Sequence, residues 1–145
     1  MPENKKSEQI STTSERLLAG ASVLTASAGA FVIARFNPVS AGFFPACPLH
    51  AFTGLNCPGC GLTRGLHALF GSGDLLAALH FNALLPVYLF VFGYFFVALL
   101  SIAARGRAPA FNIFRPNLIW SFFIIALVFG VVRNFPVYPF TLLAP

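Results

Sequence analysis

Cys57-Pro58-Gly59-Cys60 places two thiols three positions apart in a tight Pro/Gly turn, and Cys47 precedes them in the same stretch. Three chemistries fit these residues. The first is a disulfide or a redox pair, because the spacing is that of redox C-x-x-C motifs and Cys60 falls near the start of a helix beginning at Leu62, where a thiolate is favoured. The strand-helix pattern of a thioredoxin domain is missing, and Gly61 stands where haem attachment needs His. The second is metal: Cys47-x-x-His50, six residues, then Cys57-x-x-Cys60 offers three thiolates and an imidazole, a donor set that suits tetrahedral zinc. The intervening loop is shorter than in common zinc fingers. The third is packing, with small soft side chains filling a crowded loop.

A second group of residues concerns charge. Asp74 is the only carboxylate side chain after Glu15. Paired with one arginine it would offset the desolvation of both. Arg64 and Arg133 are then candidates for an anion site, such as the phosphate of a lipid or of a lipid-linked substrate. The alternative is snorkelling from helix ends. Asn82 and Asn134 serve as helix caps in one reading and as neutral donors in the other. Of His50, His67 and His80, only His50 has suggestive neighbours.

The elements that position these groups are apolar. The chain of 145 residues is 57% hydrophobic and 9% charged, with mean hydropathy +0.80. Soluble domains carry about a quarter charged residues, so this composition points to a membrane protein and excludes a large soluble domain. The net charge of +5 does not point to nucleic acid, because the nine Lys and Arg are scattered between apolar segments and form no stripe.

Three runs predict membrane-spanning helices over 17–34, 84–104 and 117–132, with Trp120 as an interfacial anchor of the third. Residues 1–16 predict a disordered cytoplasmic tail and 136–145 an aromatic, Pro-rich tail. In the first run Ser22, Ala26 and Ala30 are spaced by four, as are Ala21, Thr25 and Gly29, which permits close approach of another helix or of a second copy. That run could also serve as a signal peptide cleaved after Ala30, but Phe31-Val32-Ile33 continue it past the site. Between the first two spans, 37–73 is a Cys/Pro/Gly-rich loop. Within it Leu62–Phe70 predicts a short interfacial or re-entrant helix ended by Gly71. Asp74 predicts a cap for the next helix. Pro86 either kinks the second span or sits in the first turn of a fresh helix capped at Asn82.

Three spans place Lys5, Lys6, Arg16, Arg105, Arg107 and Arg115 on one side, and Arg35, Arg64 and Arg133 on the other. Six against three makes the first side cytoplasmic and the cysteine loop extracytoplasmic, where disulfides persist.

The run CPLHAFTGLNCPGCGLTRGLHALFGSGDLLAALHFNALLP resembles the signature of the family known as domain of unknown function 2752. Its elements are Cys47-Pro48, Thr53-Gly54, the C-P-x-C-G-x-T-R stretch from Cys57 to Arg64, Gly73-Asp74 and Asn82, and Arg133-Asn134 is similar to the family's ending. The chain departs at Asn82-Ala83-Leu84, where members often read Asn-Pro-Leu, and at Ser72, which lengthens the Gly-Asp turn. The resemblance extends over residues 40–135. It implies a small bacterial inner-membrane protein and no particular reaction, and it marks Cys47, Cys57, Cys60, Arg64, Asp74 and Arg133 for testing.

The expectation is therefore an all-α integral membrane protein. Its cysteine loop is cross-linked by a disulfide or held by zinc, and it engages lipid, a membrane-protein partner or a second copy without catalysis. The alternatives are a membrane thiol-disulfide oxidoreductase acting through Cys57 and Cys60, and a carrier or enzyme for a lipid-linked anion acting through Arg64 and Arg133.

Overall fold

The computed structural model describes residues 11–107, 109, 116–138 and 140–143, and among these the ordered elements are all helical. Helix α1, Thr13–Arg35, starts before the apolar run does. Thr12 and Glu15 form a capping box, with the Thr12 N–H donating to Glu15 at 2.7 Å. The expected tail is thus helical from Thr13 onward, and residues 1–10 lie outside the described residues. The hydroxyls of Ser22, Thr25 and Ser27 each donate to the carbonyl four residues earlier, so no side-chain hydroxyl in the apolar run from Leu17 to Ala34 is left unpaired.

The segment after α1 is more helical than its Pro and Gly content suggests. Helix α2, Pro48–Thr53, opens with proline in its first turn, and Cys47 is its N-cap residue. Helix α3, Leu62–Ser72, runs past Gly71. Gly73, at φ 70°, ends it in the left-handed region that glycine tolerates best. Gly71 has another use: a Cβ there would lie 2.6 Å from the Ala34 carbonyl oxygen, so its absence lets α3 meet the last turn of α1. Asp74 caps helix α4, Leu75–Phe81, by accepting the Ala77 N–H at 2.9 Å. The chain then breaks at Asn82, and helix α5, Leu85–Arg105, begins afresh with Pro86 in its first turn. Of the two readings of Pro86, the fresh start is the one observed. Helix α6 is Pro116–Val132.

The packing fixes which ends meet. Arg16, near the start of α1, donates to the carbonyls of Ala103 and Ala104 near the end of α5, and the Ser11 N–H bonds to Gly106. These two helices are therefore antiparallel. At the opposite end, α3 and α4 fold against each other around Ala68, Ala78 and Leu85. Gly65 lies close enough to α4 that a Cβ would sit 3.0 Å from the Ala78 carbonyl oxygen. The end of α6 reaches the same place, where a Cβ on Gly130 would lie 3.1 Å from Pro58 Cδ. The C-terminus of α1, the N-terminus of α5 and the C-terminus of α6 thus converge on the cysteine segment.

Helices α1 and α5 are long and apolar enough to cross a membrane, and α6 is a shorter apolar helix. Their large side chains are exposed, among them Leu17, Leu24, Phe90, Phe92, Phe123 and Leu127. A helix at the core of a soluble protein would bury such residues; here almost none of the residues in the two candidate spans is buried. Gly29, on the small-residue face of α1, has nothing within 4 Å of where its Cβ would stand, so none of the described residues covers it there.

Candidate metal centre

Two segments, the start of α2 and the C-P-G-C turn, bring three thiols to one point. Cys57 Sγ lies 3.3 Å from Cys47 Sγ and 3.2 Å from Cys60 Sγ, and all three sulfurs fall within 4.8 Å of one another. The cysteines are free thiols. Three sulfurs around a zinc at 2.3 Å in a tetrahedral arrangement stand about 3.8 Å apart, so the cluster needs only a slight expansion to surround a metal ion. The C-P-G-C turn closes on itself through the Cys60 N–H, which donates to the Cys57 carbonyl, and the Cys57 N–H, which points to Cys60 Sγ at 3.2 Å. Cys47 comes from the start of α2.

The fourth expected ligand stays away. His50 is exposed on α2 and does not belong to the group of converging donors. Cys47 holds the N-cap position of α2 in an extended conformation, and His50 stands exposed in the helix that follows. The His50 N–H is what acts on Cys47. That N–H, then the Cys57 thiol, lowers the Cys47 pKa to about 7. Burial, reinforced by the neighbouring thiols, pushes Cys60 up to about 12.

Beneath the turn lies a charge. Arg133 is 1% exposed, and its Nη1 donates to the carbonyls of both Cys57 and Cys60 at 3.0 Å. Its Cζ stands 5.0 Å from the centre of the Phe129 ring. Nε and Nη2 are buried and bond to nothing among the described residues. Burial lowers the Arg133 pKa, and negative charge on Cys60 and Cys57 opposes that shift. Among the described residues Arg133 has no carboxylate partner, so the thiols are the nearest source of countercharge.

Two asparagines complete the frame. Asn82 is fully buried; its amide nitrogen donates to the carbonyls of Pro58 and Cys60, and its oxygen accepts the Leu84 N–H. Asn134 donates to the Asn56 and Gly130 carbonyls and accepts the Asn56 N–H at 2.7 Å. Both go beyond capping, because Asn82 ties a helix terminus to the C-P-G-C turn and Asn134 ties another to Asn56 just before it. Sequence reading could have found this signal in two asparagines beside apolar runs, since a buried amide must be satisfied.

The charged candidates separate. Arg64 and Asp74 line one cleft of about 270 Å³ between α3, α4 and the segment after α1, and Arg133 is not part of it. Arg64 and Asp74 form no ion pair with each other. The pairing of Arg64 with Arg133 in one anion site is therefore not what the fold produces.

No curated protein and no solved structure matches this chain. Residues 47–96 match a family model described as "Protein of unknown function (DUF2752)". The match begins at Cys47, the first of the three clustered thiols, and ends within α5. Arg133 and Asn134 fall beyond it, although they clamp the matched loop. The stretch that builds the thiol cluster lies within the matched segment, as do the Cys, Gly-Asp and Asn82 positions that carried the resemblance to the domain of unknown function 2752.

Proposed function

We propose that this chain is a three-span membrane protein whose extracytoplasmic cysteine turn is held by zinc, with Cys47, Cys57 and Cys60 as ligands, to form a rigid surface for a membrane partner. The observation that carries the reading is the convergence of three sulfurs within 4.8 Å above a buried arginine. A divalent ion, three thiolates and one guanidinium sum to zero charge. That sum removes the main objection to a lone buried cation. It also favours a neutral fourth ligand, such as water, over another thiolate. Soft thiolate donors select zinc over calcium or magnesium.

The alternating direction of α1, α5 and α6 supports three spans, and the excess of Lys and Arg in the sequence before α1 and between α5 and α6 supports a cytoplasmic N-terminus. A non-catalytic role is supported by the carboxylates: among the described residues these are Glu15 and Asp74, which sit near opposite ends of the bundle. They form no acid-base pair.

Metal analysis of protein purified without chelator should find about one zinc per chain, lost in Cys57→Ser. The thiols should become alkylatable once a chelator is added. Metal-free protein whose thiols appear only after reduction would support thiol-disulfide exchange instead. That second reading draws on Cys57 lying equally close to Cys47 and Cys60.

A further inference from the structure

The cleft beside α3 has the chemistry of a different ligand. Its polar walls are Arg64, His67, Ser72, Asp74 and Asn37, and Phe81 supplies part of an apolar floor. Arg64 is exposed, and its guanidinium bonds to nothing else among the described residues. Asp74 uses Oδ1 to cap α4, which leaves its second oxygen and its charge to the cleft. A cation and an anion thus share a small cavity without pairing to each other.

The depth of the cleft is set by α1. His67 Nδ1 meets the Ile33 carbonyl at 2.7 Å, and Gly71 packs against Ala34. Both contacts are in the last turn of α1, where the apolar run gives way to Arg35. That is the level at which a membrane-spanning helix leaves hydrocarbon for head groups. Val39, which lines the cleft, and Phe70, Leu75 and Leu76, on the two helices that form it, are exposed, as expected of side chains that meet acyl chains.

We propose that this cleft binds the head group of an aminophospholipid, with Arg64 on the phosphate and Asp74 on the ammonium group. Arginine suits a phosphate through paired N–H donors, and a carboxylate selects the amine over an uncharged glycerol. The site is separate from the thiol cluster and does not depend on metal there.

The test uses the full chain in detergent, with native mass spectrometry counting bound dioleoyl phosphatidylethanolamine and dioleoyl phosphatidylglycerol. Arg64→Gln should weaken retention of both lipids about tenfold, the loss of one charge-assisted contact. Arg64→Lys should restore part of it. Asp74→Asn keeps the helix cap, because Asn caps as well as Asp. It should lower the ethanolamine-to-glycerol preference about tenfold without changing glycerol-lipid binding. Unchanged retention in Arg64→Gln, or an unchanged preference in Asp74→Asn, overturns the proposal. Free phosphoethanolamine should compete poorly; displacement at equal concentration would mean a soluble phosphate ester and would also overturn the lipid assignment. Zinc content should stay the same in all three variants, which separates this outcome from failure of the metal reading.

Discussion

Arg16 and Arg133 do similar work at opposite ends of the bundle, each donating from its guanidinium to two backbone carbonyls. Arg16 is exposed and covers the last turn of α5, where a cation meets the negative end of a helix. Arg133 is enclosed beneath a turn that holds three thiols. Water screens the first charge and supplies its remaining bonds. The second has none of that help, so its surroundings must be arranged around it. The comparison teaches that burial, not residue type, turns a helix-capping arginine into part of a site.

The largest expected contrast is among the thiols at the Arg133 end. In reduced, metal-stripped protein, Cys47 should alkylate with a pH profile centred near 7, because its lowered pKa means the thiolate is present above that pH and lost below it. Cys60, raised to about 12, should stay a thiol and react slowly up to pH 9. Peptide mapping of a timed labelling reaction would check this, and equal rates would show that the enclosed end does not differentiate its cysteines.

Next is the arginine comparison itself. Arg133→Met should cost about 3 kcal/mol, because it removes two charge-assisted hydrogen bonds to the turn, whose carbonyls keep only the Cys60 N–H and the Asn82 amide. Arg16→Gln should cost about 0.5 kcal/mol, the scale of an exposed helix-end charge. Unfolding in detergent followed by helical circular dichroism measures both. Similar losses would break the contrast between the ends.

A third difference lies between two glycines. Gly71→Ala should destabilise by about 1–3 kcal/mol, since the new Cβ meets the Ala34 carbonyl with little room to move. Gly29→Ala should be neutral or stabilising by up to about 1 kcal/mol, because the site is open and alanine favours helix. The same unfolding assay applies. A loss at Gly29 would point to a second copy or another chain covering that face.

What could be read from the sequence was what neighbouring residues decide among themselves. Apolar runs without charge made helices at α1, α5 and α6, Asp74 capped α4, and Pro86 entered a first turn, because helix periodicity and capping act over one to four residues. Helix α2 and the extension of α3 through Gly71 were less legible, since Pro and Gly can punctuate a helix as well as end it. The choice among disulfide, metal and packing chemistry was also open, because spacing brings Cys57 near Cys60 but only offers Cys47 and His50 as further donors without placing either. Tertiary structure alone decided that Cys47 joins the pair while His50 turns away, that Arg133 lies beneath the turn, and that Arg64 belongs to a different cleft with Asp74. Arg133 and Cys57 are 76 residues apart, and only the crossing of α6 over the cysteine segment brings them together. The charge of an arginine is written in the sequence; whether water or protein surrounds it is settled by which helices pack against it.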